Sequence, residues 1–187
     1  MRVGALFGLI CFLSVSVHAA DVLVSKAKVE FLAVGKPSAI KIRGKGEKLE
    51  SKLQVTAKTV TGKFLFDLST LETGIDTRDQ HMKEKYLEVG KFKNAELTLS
   101  PFKLAKDICK EDVKLEKTSF EGLLNLHGVE KPVKGEFDVT GAKASGHAQV
   151  RFSISITDFG IDIPTYLGIK VADKVENTIE LDWSCKE

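Results

Sequence analysis

His147-Ala148-Gln149-Val150-Arg151-Phe152-Ser153-Ile154-Ser155-Ile156 is the stretch that decides the fold. Ala148, Val150, Phe152, Ile154 and Ile156 share one parity, while Gln149, Arg151, Ser153 and Ser155 take the other. Strict alternation of this kind marks a strand with one face buried and one face wet. Val175, Ile179, Leu181 and Trp183 alternate with Glu176, Thr178, Glu180 and Asp182 in the same way. Phe120, Gly122, Leu124 and Leu126 do so less cleanly, because Leu123 lies on the opposite face. Shorter alternations run through Val29 to Phe31, Ile40 to Ile42, Leu53 to Ala57, Phe64 to Leu68, Leu97 to Leu99 and Phe137 to Val139.

Turn-forming residues separate these runs at Gly35 to Pro37, Gly44 to Glu47, Gly128 to Pro132, Gly141 to Ser145 and Gly160 to Gly168. The pattern predicts an all-β chain of about eight antiparallel strands, at residues 22–33, 38–48, 52–68, 94–104, 113–126, 131–141, 145–157 and 173–184. Such a meander removes its exposed edges by closing into an up-and-down barrel. An eight-stranded barrel is either filled by side chains or just wide enough for one slim ligand. Physical chemistry alone leaves those two interiors open.

Strand parity places the connections. Odd strands end at one rim, so the segments after strands three, five and seven share it. Cys109, after strand four, and Cys185, after strand eight, belong to the opposite rim.

One segment breaks the period of two. Gly74 to Val89 reads as a short helix near residues 77–89, with Thr77 and Gln80 spaced as a capping box and Asp79 adding negative charge to the first turn. Met82, Tyr86 and Val89 form its apolar stripe, while Glu84, Leu87 and Glu88 point elsewhere. Arg78 and Asp79 flank the stripe, so the helix carries charge toward whatever it covers. Those charges either tie the lid to neighbouring backbone and loops or face the polar head of a bound molecule.

The first 20 residues read as a signal peptide that is removed. Arg2 precedes an apolar run from Val3 to Val17, and Ala19-Ala20 supplies a small-residue exit before Asp21. Cys11 follows Leu9-Ile10 inside that run, which does not suit lipid attachment. A membrane-spanning helix needs about 20 apolar residues, and no later segment approaches that length. Residues 21–187 are then one exported domain, most simply in a bacterial periplasm. Cys109 and Cys185 remain in it as an even pair in an oxidising compartment, either joined as a disulfide or left as two thiols.

The whole chain of 187 residues carries a formal charge of +2, about +1 without Arg2, with both signs dispersed. That excludes the concentrated basic face that a nucleic-acid partner requires. His81 and His127 belong to one rim, but no HxH, HExxH or CxxC spacing supports a metal site, and a structural role outweighs a ligand role. No GxSxG elbow or cysteine nucleophile motif is present, so the reading is of a non-enzyme with no cofactor.

Thr73-Gly74 followed by Arg78-Asp79-Gln80-His81-Met82 and Tyr86-Leu87 resembles the signature of the YceI-like family. Phe120-Glu121-Gly122-Leu123-Leu124-Asn125-Leu126-His127-Gly128, Lys131-Pro132-Val133 and Asp158-Phe159-Gly160-Ile161 extend the resemblance over nearly the whole mature chain. It implies an exported lipocalin-fold protein that holds a polyisoprenoid, quinone or fatty-acid-like lipid in an apolar tunnel. Arg78, His81, His127 and Tyr166 are then the mouth, beneath a lid of Met82, Tyr86 and Val89. Phe64, Phe66, Phe120, Leu124, Phe152, Ile154 and Trp183 are the tunnel wall. Two other functions stay open: an enzyme that acts on a lipid through His81, His127 and Asp79, and a filled barrel that binds a protein partner. A homodimer is also left open.

Overall fold

The structure, a computed structural model, describes residues 19–36, 40–166 and 169–186. Most of the expected signal peptide, residues 1–18, lies outside them. Among the described residues, ten strands make one antiparallel sheet: β1 (Ala19–Lys36), β2 (Lys41–Gly46), β3 (Leu49–Thr56), β4 (Thr59–Asp67), β5 (Asn94–Lys103), β6 (Val113–Leu126), β7 (Val129–Ala142), β8 (Ser145–Ser155), β9 (Thr165–Tyr166) and β10 (Ile169–Lys186). β10 pairs with β1 from Asp21–Lys186 to Lys36–Lys170, which closes the sheet into a barrel. No helix among the described residues is long and apolar enough to cross a membrane.

Eight staves build this barrel because β2 and β3 are one interrupted strand. β3 pairs with the start of β1 (Ala19 with Thr56, Val22 with Leu53), and β2 pairs with its end (Val29 with Gly46, Val34 with Lys41). The chain therefore does not turn back at Gly44 to Glu47. The true turn is Ala57-Lys58, with φ of 48° and 71°, the two positive values of a tight hairpin turn. It splits the single strand expected over 52–68 into β3 and β4.

A Cβ on Gly44 would stand 2.1 Å from Phe31 Cε1, and one on Gly46 would stand 2.7 Å from Phe66 Cζ. These glycines make room for aromatic rings, whereas the actual turn contains no glycine, asparagine or proline to announce it. Likewise Lys131-Pro132-Val133 belongs to β7, because the second turn is only His127-Gly128, with φ of 55° and 76°. Pro132 pairs with Leu123 of β6 on a part of β7 that has no β8 partner, an edge position where a missing N–H is tolerated.

Rim assignment survives these shifts, since both misplaced boundaries lie within the same pair of staves. Asp67 of β4 pairs with Asn94 of β5, and Thr59 with Lys103. The helical segment between β4 and β5 thus occupies one rim, and the connection after β5 occupies the other. There Cys109 and Cys185 form a disulfide with Cα atoms 5.6 Å apart.

Gly62, in the middle of β4, has φ of +132° at a register shift between β4 and β5. An added Cβ would meet Lys52 O at 2.0 Å and Leu53 Cα at 2.8 Å, both backbone atoms of β3. Gly62→Ala is therefore expected to lower unfolding free energy by about 2–3 kcal/mol, from an almost glycine-only backbone region plus a clash that no rotamer relieves. Urea denaturation with unchanged midpoint would contradict this account.

Candidate functional site

The inward face of the barrel is apolar but not filled. A mouth chamber of about 230 Å³ opens at the helical rim. Toward the disulfide lies a second, deep chamber of about 100 Å³. Phe64, Leu97 and Ile179 line both, so they form a collar between them. Phe120 on the deep side and Phe152 on the mouth side meet edge to face, with centroids 6.4 Å apart. A hollow interior removes the support that the filled-barrel alternative required.

Of the sequence-derived wall, Phe66, Leu124, Phe152 and Ile154 line the mouth chamber, and Phe120 and Trp183 line the deep one. Phe64 belongs to both. Val29, Ala33, Val171 and Val175 add to the mouth chamber. Val29 and Val175 belong to alternations visible in the sequence, whereas Ala33 and Val171 lie outside them. Leu71, Ile161 and Pro164, on connections, and Thr165, in the two-residue β9, also line it, where no periodicity could announce them.

The lid is not one α-helix over 77–89. The α-helix α1 covers Asp76–His81, and a π-turn follows at Met82–Tyr86. It is closed by Leu87 N donating to Met82 O at 2.9 Å. An i→i+5 bond changes the phase of the face. Met82, Tyr86 and Leu87 therefore line the chamber, while Val89 packs against the core without lining it. The expected capping box is absent, because α1 starts at Asp76 with Ile75 at its N-cap and no side-chain cap.

Arg78 and Asp79 both grip Thr73. Asp79 Oδ1 accepts from Thr73 N at 2.8 Å and from Thr73 Oγ1. Arg78 donates from Nε to Thr73 Oγ1 at 2.7 Å and from Nη2 to Thr73 O at 3.1 Å. This is the latch among the two roles open for these charges, although Arg78 also lines the chamber. Tyr86 Oη accepts from Thr165 N at 3.3 Å, which ties the lid to the strand across the mouth.

His81 and His127 are not brought together around the chamber. His81 lines it; His127 does not. The His127 ring, with its side chain only 13% exposed, lies 2.9 Å through Nε2 from Glu88 Oε2 and 3.2 Å through Nδ1 from Phe159 O. Phe92 stacks against it at 4.5 Å. Both ring nitrogens thus face oxygen atoms, one of a side chain and one of the backbone, which fixes the ring from two sides. Asp79 is committed to Thr73 and does not line the chamber either. The trio required for acid–base work on a lipid is therefore not assembled around a shared void. Tyr166 pairs through its backbone with Ile169, and its side chain lies outside the described residues.

Lys91 first, and His127 second, hold the Glu88 carboxyl below its ordinary value of 4.5. A lowered folded-state value means that this pairing stabilises the fold above about pH 4.5 and is lost as pH falls through the lower, folded value. The melting-temperature difference between wild type and Glu88→Gln should therefore shrink as pH falls below about 4.5. A difference that grows as pH falls below about 4.5 would reverse the assignment.

Comparison with known proteins gives a consistent fold. The model of the YceI-like domain family matches residues 21–183. No curated protein matches this chain. A polyisoprenoid-binding domain from Saccharophagus degradans, implicated in plant cell wall breakdown, is similar with a TM-score of 0.66 at 17% identity, covering 91% of this chain and 100% of that one. BcnA of Burkholderia cenocepacia is similar at 0.66 and 17%, over 83% and 95% of the two chains. The Campylobacter jejuni YCEI protein is similar at 0.59 and 17%, over 78% and 85%.

Proposed function

The chain belongs to the YceI-like domain family, and on that premise we propose that it is an exported, periplasmic carrier for a long-chain amphiphile: a polyisoprenoid, a quinone or a fatty-acid-like lipid. The observation that carries the reading is the pair of apolar chambers in line along one barrel, beneath a latched lid. A relative of the same fold is described as a polyisoprenoid-binding domain, which supports the same ligand class here.

Chemistry and geometry agree on what such a site does. Each buried methylene contributes about 0.8 kcal/mol, so a long chain gains affinity along the barrel without any polar contact. Arg78, His81, Thr73 and Asn177 stand among the few polar residues of the mouth chamber and suit the headgroup. His127 is assigned to bracing the end of the lid instead. Opening requires release of the Thr73 and Tyr86 contacts, which lets the lid move as a unit. The protein acts by binding and release, without catalysis, and residues 1–20 direct its export.

Native mass spectrometry of protein purified from its own host is expected to show a co-purifying lipid of this class. Repeated absence of any lipid, with no uptake of prenyl or acyl chains by the stripped protein, would refute the carrier reading.

A further inference from the structure

Ala33 of β1 lines the mouth chamber and pairs with Ile42 of β2 and Val175 of β10, which line it too. Period two therefore turns Leu32 and Val34 outward, beside their partners Arg43 and Lys41. Lys174 pairs with Ser155, and the next pair, Val175 with Ile154, faces the chamber, so Lys174 shares this outer face. Lys170 is exposed at the same rim. Lys41, Arg43, Lys170 and Lys174 have no hydrogen-bond or ion-pair partner among the described residues. Acids of these strands do not balance them near the mouth: Glu30 pairs with Lys28 at 2.7 Å and Asp173 accepts from Thr157 N at 3.0 Å, which leaves Glu176, across from Leu32. The same face borders a seam. Along 41–46 the outer edge of β2 makes one bridge among the described residues, in which Lys45 N donates to Glu72 O at 2.9 Å and Glu72 N to Lys45 O at 2.8 Å. Three residues after Glu72, Ile75 begins the lid and is 47% exposed. Cations on an edge strand deter strand pairing, but that accounts for Lys41 and Arg43 alone, not for Lys170, Lys174 and Ile75.

We propose that this face docks on an anionic phospholipid bilayer, with Leu32, Val34 and Ile75 entering the headgroup layer and the four cations pairing with phosphates. Ligand then passes between bilayer and chamber at the seam between β2 and the lid. This deepens the carrier reading and rests on it. Charge selects the partner: the chain carries only +2 over 187 residues, so a sector with Lys41, Arg43, Lys170 and Lys174 unpaired is a local feature. Lys85 extends it to the lid, because it lies 5.4 Å from the Tyr86 ring, Tyr86 Oη accepts from Thr165 N, and Thr165 pairs with Lys170. Asp76, at the start of α1, opposes these charges without cancelling them. Aliphatic residues interleaved with cations, on the outer wall of a lipid chamber, fit a bilayer surface better than the acidic face of a protein.

The test sediments the full protein with vesicles of phosphatidylcholine alone, or of phosphatidylcholine and phosphatidylglycerol in equal parts, at low and high salt. Partitioning is expected to be at least about tenfold stronger on the anionic vesicles and to fall with salt. Each cation near such a surface strengthens binding about fivefold, so Lys41→Gln with Arg43→Gln should weaken it about twentyfold. Ile75→Ser should weaken it as well. Lys26→Gln with Lys110→Gln, the same charge change toward the disulfide rim, should leave it within about twofold. Uptake of a fluorescent prenyl or acyl chain delivered without vesicles should be unchanged in the Lys41, Arg43 variant, since neither residue lines the chamber. Transfer of that chain from anionic vesicles should slow in step with binding. Equal partitioning of wild type to both vesicles, or a double variant that partitions like wild type, would overturn the docking face and leave the carrier reading intact. Failure to take up any chain would overturn the carrier reading and with it the transfer role of this face. Should the double variant not fold, the wild-type comparison, its salt dependence and Ile75→Ser decide.

Discussion

Ala33→Phe is expected to weaken long-chain lipid binding by about two orders of magnitude while leaving the melting temperature unchanged or raised. Ala33 is buried in β1, across from Ile42 of β2 and Val175 of β10, and lines the mouth chamber. A phenyl ring there enters the space that a ligand chain would fill. Displacing about four methylenes at roughly 0.8 kcal/mol each removes about 3 kcal/mol, close to a hundredfold in Kd. Overpacking is normally destabilising, but here the ring has a cavity of about 230 Å³ to occupy. Titration with a fluorescent acyl or prenyl chain, beside a thermal melt, separates the two quantities. A variant that binds as tightly as wild type would mean that the ligand sits elsewhere.

Loss of the Cys109–Cys185 disulfide is the second large effect. The bridge closes a loop with a sequence separation of 76, for which the chain-entropy model gives about 4.5 kcal/mol, within a usual range of about 2–5 kcal/mol for native disulfides. Local structure adds to the expectation. β5 and β6 pair only where Glu96 to Leu99 meets Gly122 to Asn125. Beyond that, the connection leading to Cys109 supplies Leu104 and Ile108 to the deep chamber. Untied, this connection loses its anchor to the end of β10, and the deep chamber loses the support of part of its wall. The double variant Cys109→Ser, Cys185→Ser should therefore unfold at distinctly lower urea, by an amount equivalent to about 2–5 kcal/mol. An unchanged midpoint would show that side-chain packing alone holds this rim.

Much of the fold was legible because a half-buried strand writes its period into the chain. Ala148 to Ile156 and Val175 to Trp183 assign their own inward faces, and those faces line the chambers or pack beside them. The hairpin at Ala57-Lys58 was illegible for the converse reason. Its positive φ values are imposed by the strands on either side, against the preference of the residues themselves. Leu87 faces the chamber, against an α-helical period, because a π-turn adds a residue to the bond that closes it, and no composition announces that.

For the site, sequence alone determined an all-β chain with period-two inward faces, a short charged helical segment, and two cysteines on the rim away from it. Each of these depends on neighbours along the chain or on the parity of strand reversals, both of which the order of residues contains. Only the tertiary structure decided that the interior is hollow, that Phe64, Leu97 and Ile179 divide it, that Arg78 and Asp79 converge on Thr73, and that His127 turns to Glu88 and Phe159. Those facts are set by how side chains from distant strands fill a shared volume. Packing of that kind leaves no period in the sequence.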